Sequence, residues 1–170
     1  AVNIPFMLSQ LPENMQLYFN LVEKMGKLAA QMVKGRPELI RVVMVGKTFE
    51  EDLCERKFDV PFSYQPFTIA GVKGFLAENL KETVTFINAP YFAKDRNIVV
   101  EEAKTDQFDK FNDLVLLVIR TDTEERSFAG TVFPDKLGRI VLLDRFHLDM
   151  IPEGTFLHFK IFDRPGIIGK

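Results

Sequence analysis

The chain has 170 residues, 46% of them hydrophobic and 27% charged, with a formal net charge of −2. That length is enough for one substantial core, and the composition excludes a disordered or fibrous chain. The small net charge supplies no general attraction for nucleic acid or an acidic membrane surface. The apolar runs fall far short of the roughly 20 residues that span a bilayer. Seventeen Phe and no Trp predict a core built on phenyl rings. A single cysteine, Cys54, leaves no intrachain disulfide and no multi-cysteine metal cluster, which fits a reducing compartment. The N-terminal residues lack the basic flank and apolar run of a signal peptide, so the chain reads as soluble and cytoplasmic.

Ala1 to Gln10 form a lead-in with little periodicity. Pro12 opens a helix expected to run to Gly35, with Tyr18, Leu21, Val22, Met25, Leu28, Ala29, Met32 and Val33 at helical spacing on one face. Gly35 suits the position just past the helix, and Pro37 forbids continuation. Residues 39–47 are β-branched and read as a strand. Residues 48–55 are acidic and ambiguous, and Pro61 and Pro66 bracket a loop. Ile69, Val72, Phe75, Leu76 and Leu80 mark a second helix despite Gly71 and Gly74. Two helical glycines cost about 1 kcal/mol each relative to Ala, and close packing against a neighbour would justify them. Residues 83–96 form a third helical segment interrupted at Pro90, which leaves open a kink or a fresh start at Asn88. From Asn97 the period becomes two. Strands are expected at 98–104, 113–122, 126–133, 138–143, 146–150 and 155–162, with polar turns at 122–125 and 135–138. Their close spacing favours antiparallel hairpins. The fold class is α+β: two layers, a mostly antiparallel sheet with helices on one face.

Several residues carry possible chemistry. Lys136, Arg139, Arg145 and His147 gather around the expected 138–143/146–150 hairpin, where cations on paired strands can hold a phosphate or carboxylate. The competing reading is a solvated hairpin with scattered charges. His147 with Asp144, Asp149 and Cys54 permits a catalytic arrangement on paper, but no nucleophile motif supports it. His158 alternates with Phe156 and Lys160 and reads as a core or interface histidine. Glu50, Glu51, Asp52 and Glu55 read as a solvated face before a metal site. No phosphate-cradling glycine motif is present, so no nucleotide cofactor is expected within the chain.

Three ordered groups of phrases carry a resemblance. The first is Ala1-Val2-Asn3-Ile4-Pro5 with Glu23-Lys24-Met25-Gly26-Lys27-Leu28-Ala29. The second is Val84-Thr85-Phe86-Ile87-Asn88-Ala89-Pro90 with Ala93-Lys94-Asp95-Arg96. The third is Ser127-Phe128-Ala129-Gly130-Thr131, Arg139-Ile140-Val141 and Asp163-Arg164-Pro165-Gly166. Together they resemble the long form of the D-3-phosphoglycerate dehydrogenase family over nearly the whole chain. The resemblance implies an exit segment from a catalytic half at 1–11, an intervening, allosteric substrate-binding domain at 12–152, and the first strand and turn of a serine-sensing ACT domain at 153–170. Lys170 then falls where the sensor has only begun. A relative of the intervening fold occurs in iron–sulfur L-serine dehydratases, whose cysteine triad this chain lacks.

The resemblance also implies an anion site using Arg139 and His147. It departs from the family at Ile151, where a basic residue is usual, and at Asp144-Arg145, where the hairpin turn usually carries a glycine. Asp163, Arg164, Pro165 and Gly166 match the turn that meets effector serine, although a complete serine site needs residues beyond those present. NAD belongs to the catalytic half of the parent oxidoreductase, and no cofactor is expected here. The chain is therefore expected to be a non-catalytic regulatory and assembly domain of serine biosynthesis, binding a small anionic effector weakly and self-associating, with no nucleic-acid or membrane partner. The alternatives are a purely structural oligomerisation domain and an independent small enzyme using His147.

Overall fold

The computed structural model of the chain describes residues 8–51, 53, 64–108 and 110–158. The first helix, α1, spans Glu13–Met32 and buries Met15, Tyr18, Phe19, Leu21, Val22, Met25, Gly26 and Ala29, the face its periodicity predicts. Its end comes earlier than expected. Val33 is already extended, and Gly35, at φ +88°, serves the turn into the next strand instead. That turn is tied down by side chains: the Arg36 N–H donates to Asp122 Oδ1 at 2.8 Å, and the Thr121 hydroxyl donates to the Lys34 carbonyl at 2.6 Å. These tertiary partners outcompete a further helical turn.

Strand β1, Pro37–Val45, leads through a 3₁₀ turn at Lys47–Phe49 towards helix α2, Pro66–Asn79. The start of α2 is capped from a distance: a Glu102 carboxylate oxygen accepts from the Gln65 N–H at 2.9 Å and the Thr68 hydroxyl at 2.7 Å. The close packing expected of the α2 glycines is present at Gly74. A Cβ at Gly74 would sit 3.0 Å from the Glu23 carbonyl carbon and closer still to its oxygen, and one at Gly26 would meet the Phe75 nitrogen at 2.8 Å. The two helices touch backbone to backbone. Helix α3, Ala89–Asp95, is a fresh start with Pro90 in its first turn. Asn88 turns its side chain backwards, accepting from the Thr85 N–H at 2.6 Å, so a closed Thr85–Asn88 turn replaces the kinked longer helix.

Strands β2 (Val99–Thr105), β3 (Leu114–Thr121), β4 (Glu125–Val132), β5 (Gly138–Leu143) and β6 (Phe146–Met150) follow. The sheet order is β2-β1-β3-β4-β5-β6. All neighbours are antiparallel except β1 and β2, which run parallel with Leu39 opposite Val99. The hairpin expectation fails at β2 because two helices intervene, and a crossover of that length delivers a parallel neighbour. The result is a two-layer α+β domain, mostly antiparallel, as the sequence pattern predicts.

The helices cover one face. Val42, Met44, Val115, Leu117, Ile119, Phe128 and Ile140 meet α1 and α2 there. Phe49 joins Tyr18 and Phe67 by edge-on contacts, each with ring centroids 5.0 Å apart, which meets the expectation of a phenyl core. The outer face has a smaller cluster, Val45, Leu114, Ala129 and Val141, under Phe108, Phe111 and Phe133. No helix among the described residues is long and apolar enough to cross a membrane.

The expected last strand, 155–162, is corrected over its described part. Beyond Met150, Pro152 and Gly154 (φ +81°) turn the chain away, and residues 155–158 form no strand. His158 is exposed, not a core histidine, and Leu157 is 87% exposed. Without a sheet partner, alternation alone cannot make a strand. Residues 159–162, the turn Asp163–Gly166, and Cys54 lie outside the described residues.

Candidate effector site

The β5–β6 hairpin is set by its register. Ile140 faces Met150, Leu142 faces His147, and Leu143 faces Phe146, with an irregularity between the first two pairs. The turn is Asp144-Arg145, and Asp144 takes φ +54°. Asp thus adopts the left-handed conformation for which glycine is the usual choice.

Alternation along β6 sends Leu148 and Met150 towards the helix layer, where both pack on the main core. His147 and Asp149 are therefore on the outer face. Arg139 is there too: Asp149 accepts two hydrogen bonds from its Nη1, both 3.0 Å, and its guanidinium lies 4.9 Å from the Phe133 ring centroid. Asp135 accepts from Nη2 at 2.6 Å. Hydrogen bonds to Asp149 and then Asp135 hold the Arg139 pKa above its ordinary value. The Leu137 N–H, and after it Arg139, hold the Asp135 carboxyl below its ordinary value. Arg139 Nε is buried without a hydrogen-bond partner.

The four predicted cations are not one cluster. Arg139 and His147 share the outer face, but three strand positions separate Arg139 from Leu142, the residue across from His147, about 10 Å along the sheet. Ile151 follows Met150 and so comes level with Arg139, where its side chain supplies no charge. Lys136, at φ +64° in the β4–β5 turn, pairs with Glu13 at 3.0 Å. Arg145 is at the opposite end of the hairpin, over the Phe146 ring at 5.3 Å.

Sequence reasoning missed the carboxylates that already hold Arg139. The Asp135/Arg139 spacing of four and the shared parity of His147 and Asp149 were the available signals. It also missed two buried polar groups. The Tyr18 hydroxyl lies 3.0 Å from Thr131 Oγ1 and 3.1 Å from the Asp113 carbonyl, and burial raises its pKa. Arg126, in the Glu125–Val132 strand, is 8% exposed and pairs with Asp144 at 2.9 Å. Among the described residues, no group of three His, Cys, Asp or Glu is placed to hold a metal ion.

An open, mostly antiparallel sheet with helices on one face and a charged hairpin at its edge defines a two-layer α+β domain. Residues 14–144 match the D-3-phosphoglycerate dehydrogenase intervening domain, and the chain belongs to that family. It is similar over its full length to proteins named D-3-phosphoglycerate dehydrogenase from Synechocystis sp. (32% identical), Methanocaldococcus jannaschii (28%) and Archaeoglobus fulgidus (26%). It spans 29% of the first and 30% of the other two.

Proposed function

We propose that this chain is a non-catalytic regulatory and assembly domain of an NAD-dependent phosphoglycerate dehydrogenase of serine biosynthesis, a cytoplasmic, self-associating enzyme. Its own ligand is a small phosphate- or carboxylate-bearing effector, held weakly on the outer sheet face. The hydride chemistry and the NAD site belong to the parent enzyme, and residues 153–170 are the start of its ACT sensor. The observation that carries the effector reading is the placement of Arg139 and His147 on one sheet face in a chain of this family. A guanidinium fork suits phosphate and carboxylate alike.

A second reading, a structural domain with no ligand, is favoured by one specific feature. Asp149 and Asp135 already hold Nη1 and Nη2 of Arg139, so an incoming anion must displace a carboxylate there. With Ile151 in place of a cation, affinity is expected on the order of millimolar, about −4 kcal/mol. Calorimetric titration of 3-phosphoglycerate into wild type, Arg139→Ala and Asp149→Ala separates the readings. The effector reading expects saturable heat from wild type, none from Arg139→Ala, and tighter binding by Asp149→Ala, all weakened by salt. Identical heats from all three leave the structural reading.

A further inference from the structure

Beyond the β5–β6 turn, at the end of the sheet away from Lys136, lies a cleft of about 460 Å³ lined by Glu125, Arg126, Ser127, Asp144, Arg145 and Phe146. Arg126 is its unusual member. The side chain is nine-tenths buried. Its Nε donates to the two oxygens of Asp144 at 3.1 and 2.9 Å, and Asp144 is itself fixed by the Ser127 N–H at 3.0 Å. Arg126 Nη2 is buried and has no hydrogen-bond partner. A charged donor taken out of water without an acceptor is costly, and folded proteins rarely leave one so. Because Asp144 engages only Nε, Nη2 remains as a charged donor without an acceptor, which suits a carboxylate oxygen.

The surroundings fit an anion with an apolar body. Phe146 is 55% exposed. It faces Leu143, which faces Phe128, and Phe128 is two residues along β4 from Arg126, so the ring and the guanidinium share a face. The Arg145 guanidinium covers that ring from the exposed rim. Glu125 also lines the cleft, and in the β3–β4 register it stands opposite Arg120, whose charge offsets its own.

We infer that this cleft is a binding site for a small organic carboxylate with an apolar portion. The carboxylate meets Nη2 of Arg126, the apolar portion lies on Phe146, and Arg145 closes over it. The site is separate from the outer-face hairpin cations, because Arg139 and His147 project from the opposite side of the sheet.

Phenylacetate, acetate and inorganic phosphate, titrated separately into the chain and followed by backbone amide NMR, provide the test. Phenylacetate should saturate the Ser127, Arg145 and Phe146 amides with a Kd on the order of millimolar, and acetate should bind about tenfold more weakly for want of the ring contact. Arg145→Ala, at an exposed position, should weaken phenylacetate about threefold with the melting temperature unchanged. Arg126→Gln should abolish saturation, with the amide spectrum reporting that the domain is folded. Arg139→Ala should change nothing at these amides. The inference is overturned by unshifted cleft amides, by shifts confined to Arg139 and His147, by phosphate binding more tightly than phenylacetate, or by equal phenylacetate affinity in wild type and Arg145→Ala.

Discussion

Gly74→Ala tests the backbone contact between α1 and α2. On helix propensity alone this change should stabilise by about 1 kcal/mol, since Gly74 is inside Pro66–Asn79. The structure reverses the sign. The new Cβ would lie 3.0 Å from the Glu23 carbonyl carbon and 3.2 Å from its Cα, with the oxygen nearer still. These are backbone atoms in the middle of α1, so relief requires the helices to separate. Separation loosens Val22, Met25 and Phe75, each at most 1% exposed. Overpacking of a rigid contact costs about 3 kcal/mol, which leaves about 2 kcal/mol of net destabilisation after the propensity gain. At about 2–4 °C per kcal/mol, the melting temperature should fall by about 4–8 °C. Gly71→Ala, one turn earlier, is the internal control. Its Cβ would meet only side-chain atoms, Val22 Cγ1 at 3.3 Å, Val42 Cγ2 at 3.4 Å and Leu117 Cδ1 at 3.5 Å. These shift by tenths of an ångström, and stability should change by under about 1 kcal/mol. Thermal and urea unfolding of the three proteins measure both. If Gly74→Ala is as stable as wild type, or Gly71→Ala is the worse of the two, the close-approach argument fails.

Met25→Asp places a carboxylate at a fully buried position on α1; a loss of about 4 kcal/mol or failure to fold is expected by circular dichroism, and an unaltered melting curve would mean the wrong face was assigned. Asp144→Gly keeps the left-handed turn but strips Arg126 of its carboxylate. Because Asp144 is partly solvated, about 2 kcal/mol of loss is expected in urea titration, with recovery in Asp144→Gly/Arg126→Leu; no loss in the single variant would show the pair to be idle. The Asp135 carboxyl, held low by the Leu137 N–H and Arg139, contributes stability above its unfolded pKa of about 3.9 and loses it as pH falls through the lower folded value. Melting temperatures of Asp135→Asn should therefore converge on wild type below about pH 4, whereas a constant difference across that range would contradict the assignment.

Much of this protein was legible in its one-dimensional pattern. The apolar face of α1 follows from a 3.6-residue period, and the β3–β6 strands follow from alternation broken by polar turns, because both signals are local and each reports which side chains leave water. The Phe-rich core was visible in composition. The α+β class followed from element order, and the family from ordered phrases along the chain. Tertiary structure decided the rest. Gly26 and Gly74 look like weak helix positions until a second backbone passes against them. The parallel pairing of β2 with β1 depends on where two helices carry the chain, which no strand pattern encodes. Residues 155–158 alternate like a strand yet find no neighbour to pair with. At the hairpin, the sequence shows four cations close together. The register then sends Arg145 to one end and Lys136 to the other, and gives Arg139 to Asp149 and Asp135. Charge is a property of residues, but whether a charge is available to a ligand depends on which carboxylates the fold brings within 3 Å of it.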